Sequence, residues 1–124
     1  MEKDILNKLY KVIQDRKKAN PEKSYVAKLI KEGPEKIGRK ITEEASEVLI
    51  AGIQESNKRI VSESADLIFH LMVLLAKKNI KPDEVLAELE KRMGISGLDE
   101  KAARKAKTRD GAKNKMKIRA RDKK

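Results

Sequence analysis

The stretch Glu63-Ser64-Ala65-Asp66-Leu67-Ile68-Phe69-His70-Leu71-Met72-Val73-Leu74-Leu75-Ala76 decides the fold. Two carboxylates three residues apart open it, and a run follows from Leu67 to Ala76 that is apolar at every position except His70. An amphipathic surface helix carries one apolar stripe, whereas a helix apolar on all sides is buried. This segment, extending from near Lys58 to Lys78, is therefore expected to be the central and most buried helix of a bundle. At ten residues the run is too short to span a bilayer.

Upstream, Ile37, Ile41, Ala45, Val48 and Gly52 recur at spacings of four, four, three and four, which predicts one long helix from about Pro34 to Gln54. Pro34 suits its first turn, where no N–H is required, and Glu55-Ser-Asn-Lys58 is a short polar turn into the central helix. Earlier still, Ile5, Leu6, Leu9, Val12 and Ile13 form a helical stripe that ends before Asn20 and Pro21. Ser24 is the expected N-cap of a short helix carrying Tyr25, Val26, Leu29 and Ile30, closed by Gly33. Downstream, Pro82 begins a last helix with Val85, Leu86, Leu89 and Met93, and Gly94 stops it. With no alternating strand pattern and no glycine-rich phosphate loop, the chain reads as an all-α bundle of about five helices joined by short turns.

Composition agrees with that class. Aromatic content is 2% and charged content 41%, a mixture that favours helices over sheets. The 124 residues contain no Cys, so there is neither a disulfide framework nor a thiolate metal site, and a reducing, cytoplasmic setting is expected for a soluble protein without a signal peptide. The formal charge of +11 is unevenly placed. Residues 101–124 hold twelve Lys or Arg against Asp110 and Asp122, leaving residues 1–100 with 19 basic and 18 acidic side chains. A nearly neutral body, residues 1–104, thus precedes a basic tail, residues 105–124, too poor in apolar surface to offset the entropy of ordering it.

Two acidic groupings stand on the two helices expected at the centre. Residues three or four apart share a helix face, so Glu44 pairs with Glu47 on one helix and Glu63 with Asp66 on the next. Glu43 falls toward the opposite side of its helix. Four carboxylates converging between helices repel one another and are costly to desolvate unless a cation neutralises them. Oxygen ligands without thiolates suit a hard ion, and Mg²⁺ combines one or two carboxylates with waters and substrate phosphates. The bland alternative is that such spacings arise by chance on solvated faces. Asp83-Glu84 and Glu88-Leu-Glu90 are of that kind, explained by a helix N-terminus and basic neighbours.

Glu43-Glu44-x-x-Glu47, a fifteen-residue gap and Glu63-x-x-Asp66 resemble the signature of the all-alpha, MazG-like nucleoside triphosphate pyrophosphohydrolases. More narrowly, the chain is similar to the phosphoribosyl-ATP pyrophosphohydrolase family of histidine biosynthesis. Ser24-Tyr-Val-Ala-Lys-Leu29, Glu32-Gly-Pro-Glu-Lys-Ile37, Lys40 to Glu47, Ala65 to Leu75 and Gly94 to Lys101 carry that similarity, over residues 4–104. Thr42 departs from it, where the family commonly has Gly, and the tail has no counterpart. The resemblance implies a homodimer that hydrolyses phosphoribosyl-ATP to phosphoribosyl-AMP and pyrophosphate. It implies Mg²⁺ held by Glu44, Glu47, Glu63 and Asp66, with Glu43 supporting the site or taking a proton. Lys36, Arg39 and Lys40 become candidates to meet phosphate oxygens, with solvated helix charge as the alternative. Tyr25 and Lys28 are further candidate substrate contacts, although Tyr25 also suits the core. His70, four residues beyond Asp66, either bonds a ligating carboxylate or is a satisfied core histidine, and the core role is favoured.

Two other readings compete. A house-cleaning enzyme acting on dNTPs would share the metal site, and a non-enzymatic helical protein would bind nucleic acid through the tail. Without aromatic residues to stack on bases, the tail is expected to bind nucleic acid weakly and without sequence preference at most.

Overall fold

The computed structural model describes residues 4–94, and these form five helices: α1 (Ile5–Arg16), α2 (Tyr25–Glu32), α3 (Pro34–Ile53), α4 (Asn57–Lys77) and α5 (Pro82–Met93). The proposed boundary after residue 104, the basic tail and the Gly94-to-Lys101 similarity beyond its first residue lie outside the described residues. No strand occurs among those described. The all-α expectation therefore holds.

Local chemistry fixes the helix ends. The Ser24 hydroxyl accepts from the Ala27 N–H at 3.1 Å, satisfying one of the donors that a helix start leaves without a partner. Gly33, at φ +96°, closes α2 and lets the chain turn into Pro34 at the start of α3. α3 ends in a Schellman turn, in which Glu55, at φ +57°, donates to Gly52 O at 3.1 Å and Ser56 N–H reaches Ala51 O at 3.1 Å. Ser56 then caps α4 through Arg59 N–H at 3.3 Å. Asn79, at φ +59°, makes the same turn after α4, with Ile80 N–H bonded to Leu75 O at 2.9 Å.

These turns return each helix against its neighbour. α4 packs most extensively on α3 and also meets α1 and α2. Ile13 from α1, Leu29 from α2, Ile37 from α3 and Val73 and Ala76 from α4 are buried to 1% exposure or less in one core. Each large side chain among them contributes on the order of 1.5–3 kcal/mol of transfer free energy.

Two expectations about faces need correction. α4 is central, but it is not enclosed on all sides, because Ile68 and Leu71 stay 43% and 37% exposed. Along α3, Ala45 and Gly52 lie at the surface while Ala51 is fully buried. The apolar stripe read at steps of four, four, three and four drifts around a 3.6-residue helix, and the packed face follows Ile37, Ile41, Val48 and Ala51 instead. Leu49, Ile50 and Ile53 on α3 and Val61 on α4 are exposed as well.

The described residues divide into two compact units at Val85 and Leu86. The first holds the core and the opening turn of α5, where Lys81 N–H bonds the Glu84 carboxylate at 3.0 Å and Asn7 donates to Asp83 at 3.2 Å. In the second, Arg92 pairs with Glu88 at 3.1 Å and Gly94 N–H meets Glu90 O at 2.8 Å. Glu84 is thus satisfied at the helix start and Glu88 by a basic neighbour, as their spacing indicates, while Asp83 is met by Asn7 of α1.

Candidate active site

α3 and α4 run as an antiparallel hairpin about the Gln54–Ser56 turn, which brings the two acidic groupings face to face. Glu44, Glu63 and Asp66 each offer a carboxylate oxygen within 4.8 Å of the others, so this trio could hold a metal ion. The trio is partly open to solvent, with Glu44 and Glu63 half-buried and Asp66 exposed. All donors are carboxylate oxygens, a set that fits a hard divalent cation. Neither Glu44 nor Asp66 forms an ion pair among the described residues.

Glu47 is not in that trio. Its carboxylate lies 3.3 Å from the guanidinium of Arg59, which also stands 3.7 Å from Glu63 and donates to the Gln54 side-chain oxygen at 2.6 Å. Sequence reasoning overlooked Arg59, although its position four residues before Glu63 on one helix face was the available signal. Glu43, toward the margin of the helix face as its spacing indicates, is exposed and pairs with Lys40 at 3.1 Å.

The candidate phosphate contacts separate in space. Lys40 is half-buried beside the acidic face, and its pKa is raised above the ordinary 10.5, first by the hydrogen bond to Glu43 and then by the neighbouring Tyr25 hydroxyl. Arg39 is exposed and held by Glu35 at 2.7 Å, and Lys36 is exposed on the same helix. Lys28 lines an open depression with Pro21, Glu22, Lys31 and Glu32, to which none of the three converging carboxylates contributes.

Tyr25 and His70 form a hydrogen-bonded prop under the acidic face. His70 is 6% exposed, with Nδ1 2.8 Å from the backbone oxygen of Asp66 and Nε2 2.8 Å from the Tyr25 hydroxyl. A carbonyl oxygen can only accept, so Nδ1 carries the proton, and in the neutral ring Nε2 accepts from tyrosine. His70 is thus a satisfied core histidine that meets the main chain of Asp66 and not its carboxylate. The Tyr25 ring stacks on Phe69 at 6.2 Å and meets His70 edge-on at 5.7 Å. Tyr25 is nevertheless 48% exposed, so it is no core residue. Its pKa is raised above 10.0 chiefly by partial burial and, after an opposing contribution from Lys40, by Glu44, Glu43 and Glu32.

Residues 6–93 match the phosphoribosyl-ATP pyrophosphohydrolase family. The chain belongs to that family. A curated phosphoribosyl-ATP pyrophosphatase from Nitrosospira multiformis is 50% identical over 113 residues, 91% of this chain and 93% of the relative. The protein of that name from Geobacter metallireducens is 50% identical over 101 residues, covering 82% and 93% of the two chains. The one from Rhodospirillum rubrum is 51% identical over 102 residues, covering 82% and 87%. Both acidic groupings and the α2 segment that supplies Tyr25 lie inside the matched residues. Among the described residues, no helix of this family member is long and apolar enough to cross a membrane.

Proposed function

We propose that this chain hydrolyses phosphoribosyl-ATP to phosphoribosyl-AMP and pyrophosphate, the second step of histidine biosynthesis, with Mg²⁺ held by Glu44, Glu63 and Asp66 and with Glu47 completing the set. The observation that carries the reading is the approach of three carboxylate oxygens to within 4.8 Å in a chain of this family. When bound, Mg²⁺ spreads the developing charge of the polyphosphate and makes an attacking water more acidic. The chain's own residues do the rest. Lys40, aligned on α3 one turn before Glu44, meets a phosphate oxygen, and the exposed Arg39 and Lys36 extend that cationic edge. Glu43, held by Lys40, is placed at the margin to take a proton at its carboxylate. Tyr25 presents its exposed ring beside these groups as a substrate contact, and Lys28 is the outermost candidate.

The working form is a cytoplasmic homodimer. Leu49, Ile50 and Ile53 with Val61, Ile68 and Leu71 give α3 and α4 an exposed apolar surface for a second copy. The catalytic domain spans residues 1–104, and residues 105–124 form a separate basic tail with at most weak, sequence-independent affinity for nucleic acid.

Product analysis after incubation with phosphoribosyl-ATP and Mg²⁺ tests the reading, with phosphoribosyl-AMP and pyrophosphate expected. Faster cleavage of any dNTP in a parallel panel would replace the named substrate by a house-cleaning role. Inactivity on every nucleotide, together with RNA binding lost on deletion of residues 105–124, would replace the enzyme by a binding protein.

A further inference from the structure

The charge on the acidic face is unevenly neutralised. Arg59 serves Glu47 and Glu63, while Glu44 and Asp66 have no ion-pair partner among the described residues. Glu63 is therefore shared, belonging both to the trio that could hold an ion and to the Arg59 pair. The guanidinium is not a drifting surface group. Gln54, at the end of α3, holds it at 2.6 Å, and the Ser56 cap fixes the backbone of Arg59 in the first turn of α4. From that anchor it bridges α3 to α4.

We propose that Arg59 is the resident counter-cation of the acidic site, which holds Glu47 and Glu63 in the metal-free protein and competes with the divalent ion for them. This rests on the metal reading given above. Arg59 relieves repulsion among the carboxylates while no ion is present, and an ion that takes up Glu63 and Glu47 must displace it or bind beside it. Either way Arg59 opposes metal binding and sets the affinity of the site. Two effects of opposite sign follow from removing it: the metal-free protein becomes less stable, and the ion binds more tightly. A merely structural arginine would weaken both.

The test is calorimetric titration of the full chain with MgCl₂ at low ionic strength, beside thermal melts in EDTA. A divalent ion and an arginine roughly 6 Å apart repel enough, even at the dielectric constant of water, to change affinity by about tenfold. Arg59→Gln is expected to lower the Kd for Mg²⁺ by about that factor and to lower the metal-free Tm. Arg59→Lys, which keeps the charge, is expected to stay within about twofold of the parent, as is Lys11→Gln, which removes a charge paired remotely with Asp15. An unchanged or weaker Mg²⁺ affinity in Arg59→Gln overturns the role of Arg59 while leaving the metal site standing. Absence of Mg²⁺ binding by the parent chain at millimolar metal overturns the metal reading itself, and this inference with it.

Discussion

Replacing Tyr25 by phenylalanine removes one oxygen, and the structure says what that oxygen does. The hydroxyl donates to Nε2 of His70 at 2.8 Å, while Nδ1 is committed to the backbone oxygen of Asp66 at 2.8 Å. Because Nδ1 must keep its proton to serve that carbonyl, the ring cannot change tautomer to rescue Nε2 without breaking the second bond. Tyr25→Phe therefore strands an acceptor on a side chain that is 94% buried, its exposure being 6%. A buried acceptor left without a partner costs about 1–3 kcal/mol. Tyr25 itself is 48% exposed, so water can approach from that side, and the lower part of the range, about 1–2 kcal/mol, is expected. For a domain of this size, each kcal/mol lowers Tm by about 4–8 °C. Urea unfolding followed by far-UV circular dichroism, in EDTA so that metal plays no part, measures the effect. A double-mutant cycle with His70→Leu isolates it. In the His70→Leu background there is no acceptor to strand, so Tyr25→Phe is expected to cost less than about 0.5 kcal/mol. Equal costs in the two backgrounds would refute the reasoning, for the hydroxyl would then contribute independently of His70.

Asp66→Asn and Glu47→Gln are expected to reduce turnover of phosphoribosyl-ATP to background while the far-UV spectrum remains helical; unfolding of both would make these carboxylates structural. Mg²⁺ at a hundred times its Kd is expected to stabilise the parent chain by about 2.7 kcal/mol in a thermal melt, an increment that EDTA removes and that Asp66→Asn loses. Ile37→Ala, at a fully buried core position, is expected to cost about 2–5 kcal/mol in urea unfolding. Stability is also expected to fall at alkaline pH. The Tyr25 pKa is raised above 10.0, so the stability linked to its neutral form is complete below pH 10.0 and lost as pH rises through the folded-state value. The Lys40 pKa, raised above 10.5, acts in the same direction. Urea midpoints at about pH 9 and about pH 11 are expected to drop for the parent and to drop less for Tyr25→Phe.

The helices were legible because their ends carry strong local chemistry. Ser24, Gly33, Pro34, Pro82 and Gly94 each act on their own backbone neighbourhood, so one sequence suffices to place them. Which side of a helix is covered was less legible. Ala45 and Ala51 have the same side chain, yet one is exposed and the other fully buried, because burial depends on how α4 crosses α3. Ile68 and Leu71 belong to an apolar run that the described residues do not enclose. Their exposure is the kind of departure a second copy would remove.

At the acidic face, the hairpin explains both the success and the miss. In an antiparallel pair, residues equally far from the turn meet. Glu44 and Asp66 each lie eleven residues from Glu55, and Glu47 and Glu63 each lie eight. Spacing about the turn therefore brings all four carboxylates to one interface, and it is as far as spacing can reach. It fixes where backbones approach, and a short carboxylate has little choice but to follow its backbone. A guanidinium on a long stem does have a choice. Arg59 bonds Gln54 on the neighbouring helix end and stands between Glu47 and Glu63, so four carboxylates that symmetry would treat alike become a trio plus one engaged by an arginine. The division has an electrostatic cause: Arg59 offsets charge on the Glu47–Glu63 side, and Glu44 and Asp66, with no ion pair among the described residues, are left as the sharper attraction for the proposed ion. On the proposed metal reading, Arg59 steadies the face before the ion arrives, which a row of carboxylates with no arginine among them could not achieve.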